Sequence, residues 1–172
     1  MKAEKSNGYG KTGIVVNGQT VDGNGYTLKV TGAGATWDSA IFIKSGTVKN
    51  ITVAGAMRGV FTSDSANGDI YLTGVKFSNV IYTFNSDGTS NTREGGVYIT
   101  DCDMNGWTSF SNTHTEVVFT NCRFAEGSGY KYCRPYNATK FVDCTFAEGF
   151  TIDKTQTDDL VFENCTFVGV DA

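Results

Sequence analysis

A stacked all-β solenoid is the fold that this sequence predicts, and three observations predict it. A short box of apolar residue, any residue, Asn or Asp, Cys, any residue, then Phe or Met recurs four times, as Ile99-Thr-Asp101-Cys102-Asp-Met104, Phe119-Thr-Asn121-Cys122-Arg-Phe124, Phe141-Val-Asp143-Cys144-Thr-Phe146 and Phe162-Glu-Asn164-Cys165-Thr-Phe167. Its cysteines step by 20, 22 and 21 residues, a period expected of one turn in a repeat rod. The 21 Gly and single Pro, set among repeated Thr, Val, Ile and Phe, favour short strands joined by tight turns, and no segment carries a convincing helical pattern.

In chain order, residues 1–12 are a loosely ordered lead-in or a partial first rung of one domain spanning 1–172. An early rung is visible in Thr20-Val-Asp-Gly-Asn-Gly-Tyr-Thr-Leu28, where a Gly-rich turn is lengthened. Val48-Lys-Asn50-Ile51-Thr-Val53 and Leu72-Thr-Gly74-Val75-Lys-Phe77 repeat the box with an aliphatic residue in place of Cys. Aligning Ile51, Val75, Cys102, Cys122, Cys144 and Cys165 gives steps of 24, 27, 20, 22 and 21 residues, so the early turns carry the insertions. About seven rungs of 20–27 residues, at the ~4.8 Å spacing of paired strands, make a rod on the order of 30 Å long. A second strand is expected after each box, at residues 40–43, 59–61, 80–84, 107–110, 130–132 and 150–152.

Within a rung the apolar residue before the Asn faces inward, the Asn or Asp turns a corner, and Cys and Phe then alternate with an outward polar residue. Asn and Asp tolerate the left-handed backbone that such a corner needs, so Asn50, Asp101, Asn121, Asp143 and Asn164 form a ladder whose side chains hydrogen-bond between rungs. Cys102, Cys122, Cys144 and Cys165 then point one way as a column of small apolar groups, which favours buried free thiols over disulfides. Cys133 lies off that column.

These rungs resemble the right-handed parallel β-helix of the pectate-lyase-like superfamily over residues 13–170, with Thr20-Val-Asp-Gly-Asn-Gly and Gly46-Thr-Val-Lys-Asn-Ile-Thr-Val looking like its opening rungs. The inter-box segments Asn105-Gly-Trp-Thr-Ser-Phe-Ser-Asn112 and Cys133-Arg-Pro-Tyr-Asn137 resemble modules of phage structural proteins of gut bacteria. The superfamily resemblance implies a single-stranded right-handed parallel β-helix. It does not imply one activity, because the superfamily holds lyases, hydrolases, esterases, tailspikes, adhesins and inert rods.

Composition narrows the partners. A net charge of −4 and no Lys/Arg block argue against a nucleic-acid surface. No stretch approaches the roughly 18 apolar residues of a membrane span, and the first eight residues lack the apolar run of a secretory signal. The chain is therefore expected either not to be exported as it stands or to be an excised piece. No capping helix is evident, so the open helix ends are expected to be either a cut through a longer protein or faces covered by a homo-trimer or another virion or cell-surface subunit.

Chemistry is sparse. The closest acidic pair, Asp101 and Asp103, reads as a corner plus a solvated side chain rather than as a hydrolase pair, and Asp158-Asp159 reads as a polar turn. Four arginines, Arg58, Arg93, Arg123 and Arg134, sit beside no acidic cluster that would hold Ca²⁺ for an elimination. Asp22-Gly-Asn-Gly25 lacks the further ligands of a Ca²⁺ loop, no Cys pair has zinc spacing, and no metal or other cofactor is expected. Of the sequons at Asn50, Asn137 and Asn164, two fall on corner positions.

One wall gathers polar and aromatic groups. Counted from each Cys, His114, Arg134 and Gln156 share one column, and Ser111, Lys131 and Asp153 a second; Trp107, Tyr132 and Tyr136 lie in the same segments. Such a wall offers flat rings for sugar faces and directional polar groups for hydroxyls. The competing reading puts Trp107 and Tyr132 in the core. The polar insertion Ser86–Gly95 is another contact surface or a tolerated loop.

The sequence thus points to a non-enzymatic structural or binding β-helix displayed on a virion, in a fibre, spike or capsid-attached protein, with polysaccharide as a partner of the wall Trp107, Ser111, His114, Lys131, Arg134, Tyr136, Asp153 and Gln156. The alternatives are a bacterial surface adhesin fragment and a polysaccharide lyase or hydrolase acting through His114, Lys131, Arg134 and Asp153. Ice binding would need a regular outward Thr array, and the outward residues are mixed.

Overall fold

The structure, a computed structural model, describes residues 4–5, 10–31, 37–87, 94–111, 114–136, 138–157 and 159–169. The chain winds as a right-handed parallel β-helix of about six turns, and no helix is present among the described residues. No helix is therefore long and apolar enough to cross a membrane.

Each turn passes three faces. The first face stacks the opening of Lys11–Asp22, the opening of Ser39–Ala54, then Arg58–Thr62, Tyr82–Ser86, Trp107–Phe110, Tyr132–Arg134 and Thr151–Ile152. The second takes the later part of those two long strands, then Ile70–Ser78, Val97–Thr100, Val117–Thr120, Thr139–Val142 and Leu160–Glu163. The third runs from Thr27–Lys29 through the ends of Ser39–Ala54 and Ile70–Ser78, across Asp103, to Arg123–Phe124, Thr145–Phe146 and Thr166–Phe167. Seven layers stack on the first face, in line with the rung count expected. Glu4–Lys5 pairs antiparallel with Lys11 and Thr12 at the start of the rod.

The corner between the second and third faces has a common physical basis. Asn50, Asp101, Asn121, Asp143 and Asn164 all take φ between 51° and 56°, and Gly74 takes 61° at the equivalent place. A left-handed residue there turns the chain without ending the strand stack, and Asn and Asp bear that conformation at least cost among residues with a Cβ. Two side-chain bonds link turns at these corners: Asn121 Nδ2 donates to Asp101 Oδ1 at 2.6 Å, and Asn50 Nδ2 donates to Asp22 Oδ1, outside the expected ladder, at 3.3 Å. From Asp101 to Asn164 acid and amide alternate, so no carboxylate stacks directly on another. Asn121→Asp places three carboxylates on consecutive exposed corners at strand spacing; the expected loss is about 1–2 kcal/mol at pH 7. Urea unfolding should recover most of that difference near pH 3, where the new acid is protonated; an equal loss at both pH values would sink the charge argument.

Inside, equivalent residues form columns. Val48, Leu72, Ile99, Phe119 and Phe141 line the second face, wholly buried. Phenylalanines that share a column stack ring on ring: Phe119 on Phe141 at 5.0 Å and 7°, Phe141 on Phe162 at 5.1 Å and 6°, and Phe124 on Phe146 at 4.8 Å and 12°. These separations follow the spacing of paired strands, which brings like side chains into register. Between columns the rings meet edge to face, as Phe124 meets Phe141 at 75°.

The thiols form the expected column, all unpaired, with Cys102, Cys122 and Cys144 buried and Cys165 half-buried in the last turn. Each reaches back to the preceding turn: Cys122 Sγ donates to Ile99 O at 3.3 Å, Cys144 Sγ to Phe119 O at 3.6 Å and Cys165 Sγ to Phe141 O at 3.4 Å. Hydrogen bonding with the Cys102 thiol, together with burial, pushes Cys122 up to about 12; the Cys122 thiol and burial raise Cys144 likewise. Cys133, off the column, fills the core behind the first face, and burial raises its thiol too.

Candidate functional site

The first face carries the site. Its strands alternate, so Val60, Phe84, Thr108, Phe110, Cys133 and Ile152 turn inward, while two outer columns run along the rod. One outer column is Arg58, Tyr82, Trp107, Tyr132 and Thr151; the other is Phe42, Phe61, Asn85, Ser109 and Arg134. The register slips by one residue between Tyr82 and Asn85, where an extra residue on that strand keeps both columns outward.

The first column builds a row of rings along the axis. Trp37 lies 6.1 Å from Tyr82, Tyr82 stacks on Trp107 at 4.8 Å, and Trp107 stacks on Tyr130 at 5.6 Å, with Tyr132 edge-on at 5.2 Å. Trp37 and Tyr130 stay exposed at 46% and 37%, whereas Tyr82 is nearly covered. At the head of the row Arg58 is fully buried, its guanidinium 3.8 Å from the Phe61 ring centroid and 5.6 Å from that of Trp37. It donates to the carbonyl of Trp37, which is held at φ 54°, a conformation bulky residues rarely adopt.

Polar groups flank the foot of the row. Arg134 Nη2 donates to Ser109 Oγ at 3.0 Å and Ser111 Oγ at 3.1 Å, and Tyr132 OH donates to Asp153 Oδ2. Burial and the Asp153 carboxylate raise the Tyr132 phenol to about 12, while the Tyr132 bond and the Thr155 amide lower Asp153. Among the described residues of this wall, Trp107 Nε1, Arg134 Nε and Asn85 Oδ1 are buried without a hydrogen-bond partner. Unmet buried donors and acceptors are rare and costly, by about 1–3 kcal/mol each.

The wall therefore gathers Trp107, Ser111, Arg134 and Asp153, and it does so by other columns than counting from Cys gives. That counting put Arg134 level with His114 and Gln156, and Asp153 level with Ser111 and Lys131. In the structure Arg134 pairs with Ser109, and Asp153, next after the Ile152 that pairs with Cys133, falls beneath Arg134. The reason is unequal spacing: Trp107 follows its Cys by 5 residues, Tyr132 by 10 and Thr151 by 7. A tight hairpin closed by Gly127 and Tyr130 supplies the longest spacer, so the strand expected at 130–132 begins at Tyr132 instead.

His114 leaves the wall. It is 4% exposed in the corner behind the first face, with Nε2 3.0 Å from Ser86 Oγ and its ring edge-on to Phe110. Tyr136 is half-buried against the core. Lys131 and Gln156 are exposed beside the wall and on the following turn. Trp107 and Tyr132 stand outside the core, against the reading that buried them. The faces of Trp107 are not open to a sugar, since Tyr82 and Tyr130 lie on them.

Sequence reasoning missed Trp37, Tyr82, Asn85, Ser109 and Tyr130. A signal was present: Tyr82-Thr83 and Trp107-Thr108 repeat an aromatic-Thr pair, and the two Thr hydroxyls meet inside at 2.8 Å. Alignment on these strands rather than on the cysteines finds the row. Elsewhere the expected readings stand: Asp101 is a corner and Asp103 an outward bridge on the third face, and Asp22 accepts from the Asn24 amide within its glycine turn. Asp158, Asn137, Arg93 and most of the Ser86–Gly95 insertion lie outside the described residues. Among those described, no group of three His, Cys, Asp or Glu is placed to hold a metal ion.

The second face bears a smaller feature, the stacked Tyr71–Tyr98 pair, each phenol donating to a carboxylate, and a shallow cavity of about 300 Å³ lined by Val118, Lys140, Leu160 and Val161. Among the described residues it has neither tryptophan nor unmet polar atoms. Comparison with family models, with curated proteins and with solved structures found no match to this chain, so the strand pairings and the first-face wall are what describe it.

Proposed function

We propose that this chain is a non-enzymatic binding rod that contacts glycans through the outer wall of its first face and is displayed on a virion surface. The observation that carries the glycan reading is the row Trp37, Tyr82 and Trp107, with Tyr130 laid over the last ring, set beside Arg134, Ser109 and Asp153. Rings supply the apolar area that a sugar covers, and planar polar side chains next to them fix the direction of hydroxyls. A rigid scaffold favours this use, because a rung-by-rung wall holds its side chains in place before a ligand arrives. Display on a virion rests on the sequence resemblance of the inter-box segments to phage structural modules.

The chain's two tryptophans both belong to the row, so intrinsic fluorescence reads the site directly. Titration with a panel of bacterial and mucosal polysaccharides is expected to shift that emission with at least one polymer and to leave its chain length unchanged. Trp107→Ala should weaken the binding by about tenfold or more, the effect of truncating a central aromatic anchor. Shortened chains would make the protein an enzyme, and unaltered emission with every polymer would end the glycan reading.

A further inference from the structure

The first-face wall holds buried polar atoms whose hydrogen bonds are open. Trp107 Nε1 and Arg134 Nε are donors and Asn85 Oδ1 is an acceptor; Asn85, 4% exposed, pairs with Ser109 in the register, and Ser109 with Arg134. Two open donors and an open acceptor spread over neighbouring strands suit a ligand with several groups that each donate and accept, which is the property of hydroxyls. Charge points the same way: Arg58, Arg134 and Asp87 act on the Tyr82 phenol, Asp153 adds a second carboxylate beside Arg134, and the chain as a whole carries −4. Both signs meet on the wall, with Asp153 beside Arg134 and Lys131 exposed next to them, so it is not a one-sided basic surface for a polyanion.

All three atoms are shielded from solvent, so a ligand reaches them only after something on the wall moves. Tyr130 is the exposed ring that lies on Trp107. It sits at the end of a two-residue hairpin in which Gly127 N donates to Tyr130 O at 2.8 Å and Tyr130 N to Gly127 O at 2.9 Å. Ser128 and Gly129 between them take φ of 51° and 80°, the all-left-handed turn of a tight hairpin, with open space around Gly129. The base is fixed, since a Cβ on Gly127 would lie 2.2 Å from the Asn105 carbonyl oxygen, whereas Ser128, Gly129 and Tyr130 are exposed. The flap thus holds a ring of about the size of a pyranose against the Trp107 indole.

We propose that the wall binds a neutral, hydroxyl-rich pyranose whose ring takes the place of Tyr130 against Trp107, and whose hydroxyls meet the open bonds of Trp107 Nε1, Arg134 Nε and Asn85 Oδ1. This rests on the glycan reading of the wall and names its substrate class. Tyr130 then competes with the sugar: the closed flap lowers the apparent affinity by the fraction of time it is shut.

The test is calorimetric titration of the whole chain with dextran, a linear β-glucan and a galactomannan, against polygalacturonate and hyaluronan. It is run at about 10 mM and about 150 mM salt, where the screening length falls from roughly 30 to roughly 8 Å. A neutral polymer is expected to bind with an affinity that changes less than about twofold with salt. Tyr130→Ala, on an exposed flap and so compatible with folding, should tighten binding by about threefold or more. Trp107→Phe, which keeps the ring stack and deletes the N–H, should weaken it by about tenfold. Binding confined to the acidic polymers and falling steeply with salt, or a Tyr130→Ala variant that binds more weakly, overturns the proposal and leaves the glycan reading standing. Failure of every polymer, neutral and acidic, takes the glycan reading and this proposal down together.

Discussion

Transfer from pH 7 to about pH 10 is expected to cost this protein about 6 kcal/mol of folding stability, through three buried thiols. In the unfolded chain a thiol titrates near ~8.5. In the fold Cys122 is pushed up to about 12, and Cys133 and Cys144 are raised as well, all three at most 2% exposed. A raised native value means that the folded protein keeps its proton where the unfolded chain has lost it. The contribution is therefore intact below about pH 8.5 and is lost as pH rises towards the native values, at about 2 kcal/mol per thiol by pH 10. Loss on this scale is comparable with the whole stability of an ordinary domain. Urea unfolding under reducing conditions at the two pH values measures it. A variant with Cys122→Val, Cys133→Val and Cys144→Val should hold its stability, since Ile51 and Val75 already fill the thiol column in earlier turns and the aliphatic Ile152 follows Cys133 in its own inward column. Equal losses in the two proteins would remove the thiols as the cause.

Phe141→Ala is expected to cost about 4 kcal/mol, the ordinary cost of removing a fully buried ring. Phe141 is wholly buried, stacked between Phe119 and Phe162 and met edge-on by Phe124 and Phe146 at 5.6 and 5.4 Å. The columns cannot close over the gap, because the backbone ladders on either side fix the spacing of the turns. Phe162→Ala, in the same column but 39% exposed, should cost about half as much. Thermal or urea unfolding of the two variants settles the matter: a Phe141→Ala loss below about 2 kcal/mol would mean that the turns relax into the space.

Most of the fold was legible in the sequence because one repeated box encodes one repeated corner. The left-handed Asn or Asp, the inward Cys and the inward Phe each occupy a fixed offset, and the register follows from the offsets alone. The wall was legible only in part, and Arg134 shows why. Its partner in the stack depends on the loop between box and next strand, which the box does not constrain and which the Gly127–Tyr130 hairpin lengthens. His114 was misplaced for a related reason: a residue twelve positions from an anchor can end in a corner as readily as on a wall when the intervening turn is free. Asn85 and Tyr82 were hidden by the extra residue in their strand, which shifts inside and outside by one.

The parallel pairings described for the three faces join residues separated by between 19 and 28 positions along the chain, from Ser39 with Arg58 to Asn17 with Ser45. Closing a loop of 28 residues rather than 19 costs only about 0.3 kcal/mol more. Every turn therefore meets nearly the same entropic barrier to forming on its predecessor. A parallel sheet ordinarily folds slowly because its partners are far apart in sequence; here the distance is capped by the circumference of the rod. The number of turns can change without lengthening the search that any one strand makes for its neighbour.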